Sequence, residues 1–299
     1  VSSPSPEMTV AIVGPGAIGT VVAAALRERG LAPSLHGRTA RPHLELIVDD
    51  ERIDVPGPVL TDPERVESPV DLVFLAVKAT QIEDAAPWLA ALCGAETIVC
   101  VLQNGVEQVP RVTPLVRGAQ VLPAVVWFPA QKQPDGAVWL RGQARLTVPE
   151  GDAGRRVAAA LRGSRCSVEP SAEFASLAWR KLMQNAVAGL MALTGRRSGM
   201  FRRSDVAGLS LAYLRECLAV ARAEGALLDD GVPDEILSKF QASPEDLGTS
   251  ILADREAGQP LEWDIRNGVI SRLGRAHDLP TPISDVVVAL LAAASDGPG

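Results

Sequence analysis

The stretch VAIVGPGAIGTVVAAALRERG, Val10 to Gly30, decides the fold. Its first four residues are apolar and make a short buried strand, and the alanine-rich run after Gly16 has the composition of a helix that stops at Gly30. Between them Gly14, Gly16 and Gly19 stand as G-x-G-x-x-G, with Pro15, Ala17 and Ile18 completing the loop. The first glycine makes a tight turn, the second lets the backbone approach a pyrophosphate, and the third lets the helix pack closely. The helix N-terminus then offers N–H donors to the phosphates. With a strand before it and a helix after it, the loop predicts a dinucleotide held by residues 14–19.

Working outward, APSLHGR reads as a second strand and DLVFLAVK and TIVCVLQNG as two further buried strands. VLPAVVWFPA and VWLRGQARLTVPE read as later, antiparallel strands. Strands alternating with helices predict a parallel, doubly wound α/β sheet of Rossmann type. From Phe174 onward helical periodicity dominates, over residues 174–194, 205–228, 233–257, 261–277 and 283–295. The change of period predicts two domains, a Rossmann-like domain over residues 8–170 that holds the dinucleotide and an all-helical domain over 171–299. The residues before Met8 read as a tail outside the fold.

A net charge of −7 argues against a nucleic-acid surface, which needs a basic patch. No apolar run has the length of a membrane span, and the opening VSSPSPEM lacks the basic and apolar regions of a signal peptide. Cys93, Cys100, Cys166 and Cys217 are scattered without a C-x-x-C, and His36, His43 and His277 form no pair at metal-ligand spacing. The expectation is a reduced, cytoplasmic, metal-free protein with a small-molecule ligand. Only Lys78, Lys132, Lys181 and Lys239 are lysines among 29 basic residues. Lysine can give up and recover a proton where arginine cannot, so each lysine in so arginine-rich a chain is a candidate for chemistry.

The end of the second strand distinguishes NAD from NADP, because an acid there binds the ribose 2′-hydroxyl and an arginine accommodates a 2′-phosphate. Between Leu31 and Leu44 there is no Asp or Glu, and Arg38 follows directly on SLHG. The cofactor expected is NADP(H), with Arg38 on the 2′-phosphate. Ligands of an open α/β sheet bind beyond the carboxyl ends of its strands, where Lys78 closes DLVFLAVK and Asn104 closes the strand that ends in LQNG, both expected to bind the cofactor. In the first long helix, Lys181 and Asn185 are four residues apart on one stripe, and Gly189 is the next step along it.

The chain resembles the ketopantoate reductases (2-dehydropantoate 2-reductases) from Met8 to about Leu291. The resemblance rests on GPGAIG, AVKATQ, LQNG, WRKLMQN, TSILAD and LEWDIRNG, in family order and at about family spacing. It implies an NADPH-dependent reductase of a 2-keto acid, a place in pantothenate biosynthesis and a homodimer. By the same resemblance Lys181 is the catalytic lysine and Glu262 its acidic partner. Asn104, Asn185 and Ser250 become substrate contacts, Lys78 lies near the nicotinamide, and the substrate sits in the cleft between the domains. An ammonium suits this chemistry, because hydride delivered to a ketone builds negative charge on oxygen that a proton donor can relieve.

Two other readings use the same residues. A β-hydroxyacid dehydrogenase shares the Rossmann domain, a helical domain and a lysine, while a non-catalytic NADP(H) sensor would need only the glycine loop and Arg38. WRKLMQN and LQNG favour the reductase over the first, and the joint presence of Lys181, Asn185 and Glu262 disfavours the second. One departure stands out: the family commonly carries a second asparagine four residues after the first, where this chain has Gly189. A missing amide and extra room at that point predict a keto acid other than ketopantoate.

Overall fold

The computed structural model describes residues 8–49 and 51–296. The tail expected before Met8 lies outside the described residues. By contacts the chain divides into two units. One runs to Gln103 and resumes over Glu107–Phe174; the other comprises Asn104–Val106 and the chain from Ala175 onward.

In the first unit, the strands are β1 (Val10–Val13), β2 (Ser34–His36), β3 (His43–Val48), β4 (Glu51–Pro56), β5 (Val59–Leu60), β6 (Leu72–Leu75), β7 (Ile98–Val101) and β8 (Gln120–Pro123). They continue with β9 (Val125–Val126), β10 (Ala130–Lys132), β11 (Val138–Leu140), β12 (Ala144–Pro149) and β13 (Cys166–Ser171). Helices α1 (Ala17–Glu28), α2 (Ile82–Leu92), α3 (Gln108–Val112) and α4 (Asp152–Leu161) lie between them. The main sheet has the order β5-β2-β1-β6-β7-β8, all parallel. This is the dinucleotide-fold order 3-2-1-4-5-6, with the reversal between β1 and β6. Alternate residues serve two cores: Val10, Ile12, Leu72 and Phe74 face one, and Ala11, Val13, Val73 and Leu75 the other. A sheet covered on both faces needs strands that are apolar throughout, which is why these segments show no polar alternation.

The later strands match the expected antiparallel pairing with one another, β9 with β12 and β10 with β11, but their other partners run parallel. β8 runs parallel to β7 as the sixth strand of the main sheet. The run Val138–Glu150 breaks at Gly142 (φ 73°) into two strands in different sheets. β11 pairs parallel with β3 and antiparallel with β10, while β12 pairs parallel with β13 and antiparallel with β9. The β3–β4 hairpin, inserted between the second and third strands of the main sheet, supplies the first of these additions.

The second unit is helical: α5 (Phe174–Thr194), α6 (Ser204–Ala223), α7 (Val232–Ala242), α8 (Ser250–Glu256), α9 (Val269–Ala276) and α10 (Pro282–Ser295). The helix expected over 233–257 is two helices, α7 and α8, because the Ser243-Pro244 step stops the first. The one expected over 261–277 begins as a π-turn over Asp264–Gly268 before α9. Helix α5 is buried on every side from Ala186 to Ala192, as the central helix of its core. Among the described residues no helix is long and apolar enough to cross a membrane.

Candidate active site

The glycine loop has the geometry its sequence requires. Gly14 has φ +86°, and a Cβ there would lie 2.5 Å from Val77 Cγ1 and 2.8 Å from its backbone nitrogen. No side chain fits. Gly16, which precedes α1, is the reverse case, since a Cβ there would meet nothing within 4 Å. That open space leaves room for the close approach of a pyrophosphate. Helix α1 starts with no side-chain cap and no acid in its first turn, leaving its positive dipole end for an anion.

Arg38 lies two residues beyond β2, two-thirds exposed, with Nη1 3.3 Å from Asp84 Oδ2. An exposed pair of this kind is worth at most about 1 kcal/mol, so a phosphate can take the guanidinium from it. The preceding His36 is buried, its Nε2 2.8 Å from Ser34 Oγ and its ring 4.7 Å from that of Trp88. Burial lowers its imidazole to about 4. Lys78 is half-buried and leads into the short helical turn Ala79–Gln81. The residues present therefore fit a dinucleotide with a 2′-phosphate.

In the helical unit, the sequence-predicted substrate residues form a chain of hydrogen bonds. Asn185 Nδ2 donates to Asn104 Oδ1 at 3.2 Å, and Asn104 Nδ2 donates to Glu262 Oε2 at 3.2 Å. Arg266 Nη2 lies 3.5 Å from the same Glu262 oxygen and donates to Ser250 Oγ at 2.9 Å. Five residues from four parts of the sequence thus meet through four of the family motifs. Asn104 follows the carboxyl end of β7 by three residues, and its contacts group it with the helical unit. Ser250 is the first residue of α8 and exposed, whereas Glu262 is buried just ahead of the π-turn. Arg266, within the π-turn, pairs with Glu262 four residues before it.

Lys181 is half-buried on α5, one turn before Asn185. Burial lowers its ammonium to about 8, and the positive charges of Arg266 and Lys239 push in the same direction. Such an amine gives up and regains a proton near neutral pH, the property asked of a general acid.

Gly189 does not continue this stripe. Eight residues turn a helix by roughly 80° beyond two full turns, enough to carry position 189 from the half-buried face of Lys181 into the core. A Cβ there would lie 2.9 Å from Asn267 Nδ2 and 3.0 Å from Leu291 Cδ1. The room expected at Gly189 is filled by the Asn267 amide, which donates to Ala186 O at 2.9 Å and to Tyr213 Oη at 2.8 Å. The argument for a bulkier substrate loses its basis.

Sequence reasoning missed Arg266 and Asn267, although both lie in LEWDIRNG. A helical reading of that motif spaces Glu262 and Arg266 as a surface i, i+4 pair; only their burial marks the arginine as part of the site.

Residues 10–153 match the family model "Ketopantoate reductase PanE/ApbA", and residues 173–295 match its C-terminal counterpart. The chain is 58% identical over 291 residues to the 2-dehydropantoate 2-reductase of Mycobacterium tuberculosis, covering 97% of this chain and 99% of the relative. It is 35% identical over 288 residues to that of Caulobacter vibrioides, covering 96% and 99%. Among solved structures, a dimeric ketopantoate reductase from Staphylococcus aureus superposes with a TM-score of 0.89 at 27% identity, covering 98% of this chain and all of that one. With both halves matched by the family's models and close relatives aligned over nearly the whole length, this chain belongs to the ketopantoate reductase family.

Proposed function

We propose that the protein reduces 2-dehydropantoate to pantoate with NADPH, as a cytoplasmic homodimer. The observation that carries this reading is the proximity of an easily deprotonated lysine, Lys181, to the hydrogen-bonded row of Asn185, Asn104, Glu262, Arg266 and Ser250. The near-full-length similarity to the M. tuberculosis enzyme selects ketopantoate among keto acids, and nothing at Gly189 argues for another.

Residues 8–170 bind the cofactor through Gly14, Pro15, Gly16, Ala17, Ile18 and Gly19, with Arg38 on the 2′-phosphate and Lys78 near the nicotinamide. NADPH, when bound, supplies the hydride for the keto carbon. Residues 171–299, joined by Asn104, hold the substrate and form the dimer. Asn104, Asn185 and Ser250 orient the keto acid by hydrogen bonds. As the carbonyl carbon accepts hydride, its π electrons move to oxygen, and the Lys181 ammonium stabilises that charge and donates its proton there. The product is the 2-hydroxy acid, and the lysine recovers a proton from water. Glu262 steadies the cationic side chains around it. The buried, unpaired state of all four cysteines supports a reducing compartment.

The test is NADPH oxidation with a panel of 2-keto acids. Ketopantoate should give the highest kcat/KM; a different acid turned over faster, or no turnover of any, would defeat the proposal.

A further inference from the structure

Arg266 is 2% exposed and has too few partners for a buried cation. Its Nη2 meets Ser250 Oγ at 2.9 Å and stands at the outer limit of hydrogen bonding, 3.5 Å, from Glu262 Oε2. Its Nε is buried without any hydrogen-bond partner. A guanidinium carries five N–H donors in a planar fork, and a buried one is stable only when those donors are matched. A purely structural role would be filled as well or better by an apolar side chain.

A further anion beside Arg266 would satisfy the open donor, and it would stand near Lys181, whose ammonium is lowered first by burial and then by the charges of Arg266 and Lys239. Nε and Nη2 form one edge of the fork, suited to the two oxygens of a carboxylate. One end of that edge already meets the hydroxyl of Ser250, an exposed residue whose oxygen is able to bond the same anion. In a 2-keto acid the carboxylate is bonded directly to the keto carbon. A cation for each of two neighbouring oxygen groups is the complement such a molecule requires.

We propose that Arg266, with Ser250, binds the carboxylate of the 2-keto acid and is the residue that distinguishes the acid from uncharged ketones of the same shape. The assignment rests on the keto acid reduction proposed above.

The experiment compares ketopantoate with its lactone, in which the carboxylate is tied up as an internal ester while the keto group stays. The unaltered protein should prefer the acid by at least about tenfold in kcat/KM, the scale of one charge-assisted contact. In Arg266→Gln the acid should lose roughly ten- to a hundredfold, chiefly through KM, while the lactone changes by less than about threefold. Arg266→Lys, which keeps charge but loses the fork, should fall between. NADPH affinity serves as the check on folding and should be unaltered in both. An equal loss for acid and lactone would make Arg266 structural and overturn the inference, as would no acid preference in the unaltered protein, a result that decides the matter even if the variants do not fold. Turnover of neither compound by the unaltered protein would overturn the proposed function, and this inference with it.

Discussion

The amide of Asn267 stands where a side chain at position 189 would have to be, 2.9 Å from the place of its Cβ, and is anchored there by Ala186 O and Tyr213 Oη. Glycine in a helix interior ordinarily costs about 1 kcal/mol relative to alanine. Here the close packing of a tethered amide explains its presence. Gly189→Ala should therefore destabilise the protein despite the gain in helix propensity, and Gly189→Asn should do so by about 1–3 kcal/mol, the usual cost of overfilling a core. Neither should improve kcat/KM for ketopantoate. Thermal melts and steady-state kinetics of the two variants check this; a more active Gly189→Asn would show that position 189 faces the substrate after all.

Lys181→Arg should lower kcat by at least about a hundredfold, because it preserves positive charge but removes the proton donor. NADPH binding should be unaffected. Normal turnover by Lys181→Arg, with loss in Lys181→Ala, would reduce the lysine to an electrostatic role.

The rate of keto acid reduction should fall as pH rises through about 8, where burial with Arg266 and Lys239 puts the Lys181 ammonium. Only the protonated form donates, so activity is retained below this value and lost above it. In Arg266→Gln one repelling charge is gone, and the alkaline limb should move to higher pH, Glu262 and Lys239 remaining. The pH profile of kcat/KM for both proteins gives the answer; a limb that stays put would mean that Lys181 is not the group titrating.

Arg38→Ala should weaken NADPH binding by roughly ten- to more than a hundredfold, the value of a charge-assisted contact to phosphate, and leave NADH almost unchanged. Fluorescence titration of both cofactors would settle the point. Equal affinities of the unaltered protein for NADPH and NADH would remove the 2′-phosphate from this arginine.

Buried His36, lowered to about 4 from an ordinary 6.5, binds its proton less readily folded than unfolded. Its contribution to stability is complete above about 6.5 and is lost as pH falls from there towards about 4, up to about 3 kcal/mol in all. His36→Gln should flatten that part of the curve. Urea unfolding at several pH values measures it, and parallel curves for the two proteins would refute it.

Much of this architecture can be read from the sequence because it depends on local pattern. The strand, glycine loop and helix of Val10–Glu28 are specified within twenty residues, and α5 follows from its apolar period. The parallel pairings of β8, β11 and β12 were not legible, because an apolar strand has the same composition whether its partner runs with it or against it. The roles of Arg266 and Gly189 were hidden for a related reason. A four-residue spacing says which residues share a helix face near one another, but not which face the rest of the chain covers. Arg266 is buried by elements distant in sequence, and Gly189 is matched to an amide 78 positions away.

The tripeptide Asn104–Val106 belongs by contact to the helical unit, although the chain on either side of it belongs to the sheet. The two halves are accordingly not separable cassettes. A hybrid of two relatives joined at Phe174–Ala175 would match the Asn104 of one parent to the Asn185 and Glu262 of the other, and a helical half expressed alone would lack that asparagine altogether. A short loop in the first half is thus part of the hydrogen-bonded row of the second, and any division of the chain has to carry it along.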